Sequence, residues 1–197
     1  FSGCKKLTKI YFDGTLEQWM DIDWKGSFSR GYDLYIQNVL LSNLIVPFSV
    51  TEIKPSCFYF CRSLVSVHFH DKVLIIGRNS FNKSCLKGHL VIPEGVGTIE
   101  YNAFFCTDIS TVSLPSTLDD LEYGVFGCCD ELKEINVSSK NEKYKSSSGI
   151  LYDNTGVLKA VAPCASSEPL QIPDFIREIE PNTFCYDAVP PGGIVLS

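Results

Sequence analysis

A solenoid of short parallel strands, α/β-type or mainly β, is the fold class this sequence predicts. Three markers that repeat in one register predict it. The first reads apolar-x-x-apolar-x-apolar. It occurs as LTKIYF ending at Phe12, LVSVHF at Phe69, KGHLVI at Ile92, ISTVSL at Leu114 and LKEINV at Val137. The last four ends are 23, 22 and 23 residues apart. A further step of 23 back from Phe69 reaches Val46, and forward steps of 35 and 24 from Val137 reach Ile172 and Leu196. The second marker is a phenylalanine that precedes the segment's end. Phe1, Phe58, Phe81 and Phe126 stand 11 residues before it, Phe104 stands 10 before and Phe184 stands 12 before. The third is a strand-ending proline with apolar residues at fixed offsets, in IPEGVGTI, LPSTLDDL, IPDFIREI and, closely, VPFSVTEI.

A period of this length means coils that cannot bury their own apolar side and must stack. The alternating segment is a short strand whose apolar positions point into the coil and whose intervening residues point out. Stacking places these strands side by side in one parallel sheet of about six to eight strands. Proline follows at the strand end, where a missing N–H does least harm to the ladder. The chain then returns through Val96 and Ile99 to Phe104 and supplies a second apolar wall. Phe58, Phe81, Phe104, Phe126 and Phe184 are expected in one buried column.

The whole chain, residues 1–197, reads as one solenoid domain with two irregular parts. In residues 13–43 a strand runs into a Thr-x-x-x-Trp segment with room for one or two helical turns. Trp19 and Trp24 are the only tryptophans. They read as cover for the side of a coil, with an exposed sugar-binding platform as the alternative. Residues 138–171 exceed one unit by about a dozen residues. There GILY and VLKAV flank DNTG, which is good turn chemistry and predicts a β-hairpin.

Nine cysteines is an odd count, so at least one cannot pair within the chain. Cys4, Cys61 and Cys129 share the slot Phe-x-x-Cys-x-x-Leu, and Cys85 and Cys106 sit one residue away from it. A residue recurring at the repeat period lies in one column of the stack, and free cysteine packs as a small hydrophobe. A column of buried, reduced thiols is therefore expected, with disulfide or metal as the alternatives. The pairing of Cys57, Cys128, Cys164 and Cys185 is open.

IPEGVGTIEYNAFFCTDISTVSL (92–114) and LPSTLDDLEYGVFGCCDELKEINV (114–137) resemble the BspA-type leucine-rich repeat (the leucine-rich repeat 5 type) nearly throughout. The resemblance covers almost the whole chain. It implies a right-handed leucine-rich-repeat solenoid, and it matches the hairpin of 138–171 to a variant unit of the family. It also implies a secreted or surface-displayed protein of a host-associated bacterium, engaged in adhesion to host proteins or other cells.

Composition narrows the rest. The net charge is −6, so there is no general attraction to phosphate backbones, and nucleic acid is not an expected partner. No apolar run reaches the ~18 residues that span a bilayer, so no membrane insertion is expected. No charged start followed by an apolar core is visible, so an extracellular placement rests on the resemblance alone. The motifs Gly-x-Gly-x-x-Gly, Gly-x-x-x-x-Gly-Lys and His-Glu-x-x-His are absent, and no cofactor, metal or catalytic residue is assigned. His68, His70 and His89 lie within reach of one another, but outward strand and turn positions call for polar residues anyway.

The reading is therefore non-enzymatic: a rigid solenoid that presents its outward strand residues to a host or microbial surface protein or glycan. One outward column runs Tyr11, His68, Val91, Ser113, Asn136 and Gln171. The other runs Lys9, Ser66, His89, Thr111 and Glu134. The alternative is a spacer or scaffold in a longer surface protein, suggested by a chain that opens in mid-unit at Phe1 and closes on IVLS. An aromatic or apolar patch on the strand face would favour binding, and a bare polar face would favour the spacer.

Overall fold

Two hairpin-like excursions interrupt an otherwise regular stack of coils in the computed structural model, which describes residues 3–25, 28–165, 168–184 and 192–196. Strand β1 (Lys9–Phe12) leads into helix α1 (Leu16–Met20). The helix starts where a capping box fixes it. The Gln18 N–H donates to Thr15 Oγ1 (3.3 Å), and the Thr15 N–H donates to Gln18 Oε1 (2.9 Å). Strands β2 (Asp33–Ile36) and β3 (Val39–Leu40) then form a tight antiparallel hairpin. Its two turn residues, Gln37 and Asn38, both take positive φ, as a two-residue turn of this twist requires.

From here the coils are regular, each with a longer and a shorter strand. The pairs are β4 (Asn43–Ile45) and β5 (Glu52–Ile53), β6 (Ser66–His68) and β7 (Ile75–Ile76), and β8 (Lys87–Val91) and β9 (Thr98–Ile99). They continue with β10 (Asp108–Leu114) and β11 (Asp120–Leu121), and β12 (Glu134–Val137) opens the next coil. The longer strands pair in parallel as β4-β6 and as β8-β10-β12. Between β6 and β8 the ladder loosens, and the Lys87 N–H bridges it to Val65 O (3.1 Å). The expected parallel strands are thus present, as separate ladders of two and three strands in place of one sheet of six to eight, and a second parallel ladder, β5-β7-β9-β11, runs along another side of the coils. The apolar returns at Ile53, Ile76, Ile99 and Leu121 are buried, so their backbone groups lie away from water and must be paired as well.

The third side of each coil holds the phenylalanines. Phe58, Phe81, Phe104 and Phe126 are buried and stack face on face, with centroids 5.5, 5.3 and 5.9 Å apart and planes within 14°. Each is framed by two residues of positive φ. Ser56, Asn79, Asn102 and Gly124 precede it by two positions, and Phe60, Lys83, Cys106 and Cys128 follow it by two. Asn and Gly at the first position are the residues that tolerate this conformation best. The Phe58, Phe81 and Phe104 N–H groups each donate to the next coil, to Ser80 O, Ala103 O and Val125 O (2.7–3.1 Å). Phe184 departs from the expectation. It is half-buried and packs in a second apolar cluster with Ile150, Leu158, Val161, Leu170 and Ile172, because the insertion separates its coil from the first stack. Phe1 lies outside the described residues.

The insertion is a three-stranded antiparallel meander: β13 (Tyr144–Ser147), β14 (Ile150–Asp153) and β15 (Val157–Val161). The DNTG turn is held by Asp153 Oδ1, which accepts from the Thr155 N–H (2.9 Å), Thr155 Oγ1 (2.7 Å) and the Val157 N–H (3.0 Å). Strand β13 is additional to the expected hairpin, and buried Asn141 anchors its entry by donating to Pro115 O and Leu118 O. The hydroxyl of Tyr144 accepts from the Leu121 N–H (2.9 Å) and donates to Asp119 O (3.3 Å), so it takes the place of a neighbouring strand at the β11 edge. Beyond the insertion, β16 (Leu170–Ile172) pairs with β18 (Ile194–Leu196), and β17 (Glu178–Ile179) pairs in parallel with β15.

The cysteine slot is a column of small buried groups: Cys61, Ser84, Thr107 and Cys129. Three of the four donate to the phenylalanine carbonyls, as Ser84 Oγ to Phe81 O (2.7 Å), Thr107 Oγ1 to Phe104 O (2.9 Å) and Cys129 Sγ to Phe104 O (3.3 Å). Cys4 does not share the expected burial. It is exposed, with no coil stacked beyond it among the described residues. Cys85 is half-buried and Cys106 exposed, since the one-residue shift turns them out of the column. Cys128 is disulfide-bonded, Cys57 and Cys164 are free thiols, and Cys185 lies outside the described residues.

Burial pushes the Cys61 and Cys129 thiols from an ordinary 9.0 up to about 11. A raised folded-state pKa means that the native state holds its protons more tightly than the unfolded chain. The stabilisation is complete below the unfolded value and is lost as pH rises through the folded one. Denaturation midpoints should therefore fall as pH climbs from 9.0 to about 11, and Cys129→Ser, which copies the hydroxyl of Ser84, should flatten that slope. Thiol titration of the native protein should modify exposed Cys4, Cys106 and Cys164, and should reach Cys57, Cys61 and Cys129 only after denaturation. Phe81→Ala, in the middle of the stack, should cost about 3–5 kcal/mol in equilibrium unfolding. Phe184→Ala should cost clearly less.

Candidate functional site

The outward strand face is built by one rule. On β4, β6, β8, β10 and β12 alternate side chains turn inward, and Leu44, Leu90, Val112 and Ile135 are buried there. Their neighbours in sequence are thereby turned out. Pairing registers align them in two columns. Asn43 lies opposite Ser66, and Thr111 lies between His89 and Glu134. Ile45 lies opposite His68, and Ser113 lies between Val91 and Asn136.

Most of the polar members hold one another across the strands. Ser66 Oγ donates to Asn43 Oδ1 (2.8 Å). The His89 ring bonds to Thr111 Oγ1 through Nδ1 (2.5 Å) and to Ser113 Oγ through Nε2 (3.4 Å), so one imidazole ties both columns together. His68, Glu134 and Asn136 are exposed. Set among these groups are apolar side chains that stand in solvent. Ile45 is 72% exposed and Val91 52%. At the rim Phe48 is 67% exposed and packs against the His70 ring, with the Lys72 ammonium 5.8 Å from its centroid. The face is therefore a mixed surface with exposed apolar side chains among its polar ones. It lacks a cleft. The loosened β6–β8 junction holds a hollow of only about 60 Å³ between His68 and His89. Among the described residues no three His, Cys, Asp or Glu side chains are grouped so as to hold a metal ion.

The sequence-derived columns are met from Ser66 to Glu134 and from His68 to Asn136, and they fail at their ends. Lys9 and Tyr11 lie on β1, which pairs with β2 (Lys9 opposite Asp33, Tyr11 opposite Tyr35) and not with the strand face. Tyr11 stacks on Tyr35 (centroids 4.5 Å), and the Lys9 ammonium sits 5.8 Å from the same ring. The β2–β3 hairpin displaces this sheet, and β4 takes the place in the face that had been assigned to β1. Gln171 lies on β16, in a separate two-stranded ladder beyond the insertion. Asn43, Ile45 and Phe48 were missed, although the step back to Val46 made β4 legible and turned Ile45 out with it. The tryptophans are packing residues. Trp19 is buried and donates from Nε1 to Cys57 O (3.2 Å), and Trp24 lies against it with centroids 4.6 Å apart.

Residues 31–149 match, in six copies, the family described as the BspA type leucine rich repeat region. The chain belongs to the BspA-type leucine-rich repeat family. Two solved structures share its fold. One is a leucine-rich repeat protein from Eubacterium ventriosum, 19% identical over 70% of this chain and 43% of that one, with a TM-score of 0.58. The other is the pneumococcal vaccine antigen PcpA, 18% identical over 72% of this chain and 42% of that one, with a TM-score of 0.56. The BspA-type chain described here thus spans less than half the length of either. No curated protein sequence matches it. Among the described residues no helix is long and apolar enough to cross a membrane.

Proposed function

We propose that this BspA-type repeat module is a non-catalytic binding surface, displayed outside a bacterial cell, that takes a protein or glycan partner on its outward strand face. The observation that carries the reading is a set of exposed apolar side chains, Ile45 and Val91 on either side of His68 and Phe48 at the rim, within two columns of hydrogen-bonding side chains. A face that served only as a spacer would have no need of isoleucine, valine and phenylalanine exposed together on it. Five strands at ~4.8 Å spacing give roughly 20 Å of continuous surface, the length of a short peptide or a few sugar rings. Display at a surface is supported by the family and by the fold it shares with PcpA, which is described as a vaccine antigen.

The test is a panel of glycans and extracellular proteins probed with the chain and with the triple variant Ile45→Ala, His68→Ala, Val91→Ala. Each change is outward and should shift stability by under ~0.5 kcal/mol. Affinity for any partner found should drop by about tenfold, or 1.4 kcal/mol. A partner that binds the triple variant as tightly as the wild type would place the interaction elsewhere.

A further inference from the structure

The second ladder has two edges, and they are finished differently. At β11 the outward amide of Leu121 is taken by the Tyr144 hydroxyl. At the other edge, β5, the Leu74 N–H donates to Thr51 O and the Gly77 N–H donates to Ile53 O, so residues 51 and 53 face β7. A strand residue's N–H and C=O point to the same side, and successive residues alternate. Glu52 therefore presents its N–H and C=O outward, as Lys54 presents its N–H, and β5 has no strand partner on that side among the described residues.

What lies there is α1, in the place where a coil would otherwise stack. α1 is a single turn whose backbone bonds, from the Trp19 N–H to Thr15 O and from the Asp21 N–H to Glu17 O, run along its own axis, and among the described residues no backbone bond joins it to β5. A groove of about 430 Å³ consequently separates α1 from β5. Met20 and Val50 give it an apolar lining, and Glu17, Asp21 and Glu52 line it with carboxylates. Its single ammonium, on Lys54, is bound to Asp21 Oδ1 (2.6 Å) and Asp21 O, and neither Glu17 nor Glu52 makes an ion-pair contact among the described residues, although the Lys54 charge is felt at Glu52. An extended chain laid along β5 would regain the ladder's missing hydrogen bonds, and cationic side chains on it would face the two carboxylates.

We propose that the groove between α1 and β5 is a second interaction surface, one that adds an extended, lysine- or arginine-bearing peptide segment as a strand to the β5 edge. This surface is independent of the strand face.

The probe is an eight-residue peptide alternating lysine and valine, blocked at both ends, titrated against the chain by fluorescence anisotropy. Its counterpart with glutamate for lysine is the control. The lysine peptide should bind saturably and the glutamate peptide should not. Glu17→Lys, on the exposed first turn of α1, should weaken binding by about fivefold, the equivalent of the ~1 kcal/mol that an exposed charge pair is worth. Glu52→Pro removes the outward N–H while leaving the bonds of residues 51 and 53 to β7, and proline is tolerated on an edge strand. It should abolish binding while the thermal unfolding curve stays cooperative. Should that variant not fold, hydrogen exchange on the wild type serves instead, and the Glu52 and Lys54 amides should be slowed by the lysine peptide. Absence of saturable binding, or equal binding of both peptides, would overturn the proposal. Binding that survives Glu52→Pro, or that leaves the Glu52 amide exchanging freely, would overturn strand addition and reduce the contact to surface charge.

Discussion

Every coil of this protein depends on a neighbour for its backbone hydrogen bonds. A coil of about 23 residues is too short to fold back on itself, so the buried N–H and C=O groups of its strands find partners in the coils before and after, and only the turns between them close with bonds inside the coil, such as the Cys61 N–H to Phe58 O and the Ser84 N–H to Phe81 O. Each side of the coil follows from that. Longer strands pair on one side, two-residue strands pair on the second, and the left-handed positions flanking each phenylalanine aim their amides at the next coil on the third. The phenylalanine stack, the Ser-Thr-Cys column and the registered outward columns are side-chain consequences of one backbone translation. Where the translation is interrupted, at the β2–β3 hairpin and at the insertion, each of those columns is interrupted too.

The same constraint explains which parts of the molecule were legible in its sequence. Phe58, Phe81, Phe104 and Phe126 repeat at nearly equal intervals, and equal intervals in a stacked chain mean one column. The outward positions from Ser66 to Asn136 follow from the same arithmetic. The DNTG turn was legible because its chemistry is local. What the period could not disclose was the course of the chain where it departs from the period. Tyr11 fits the strand pattern letter for letter, yet the step of 57 positions from it to His68 is not a whole number of units. The β2–β3 hairpin takes up the difference and turns β1 into another sheet. Phe184 was misplaced for the same reason on the far side of the insertion. Strand β13 was missed because KYKSSS carries little apolar signal. It is ordered by Tyr144 and Asn141, whose partners lie one coil back, at Leu121, Pro115 and Leu118.

The functional face shows a similar division. The hydrogen-bonded half of it, from Ser66 through His89 to Asn136, was legible as alternation. The apolar members are spread over it differently, since Ile45 and Phe48 lie three residues apart at β4 and the turn after it, and Val91 stands two strands further on, beyond His68. Isoleucine and valine in a strand ordinarily read as core. Val91 was nonetheless legible as outward by alternation, and the pairing of Ile45 with His68 places Ile45 in the same column.

The Tyr144 hydroxyl carries an implication for how such proteins change length. It closes the second ladder by imitating the strand that would come next, and it does so with one atom that both accepts and donates. The two-residue strands β5, β7, β9 and β11 form one uniform ladder, so a unit duplicated among them would meet equivalent donors and acceptors on both sides there and would leave the terminating tyrosine untouched. Repeat number is thereby uncoupled from the way the array is closed. Evolution can lengthen or shorten the outward face in steps of one strand while the closing structure, once solved, is inherited whole.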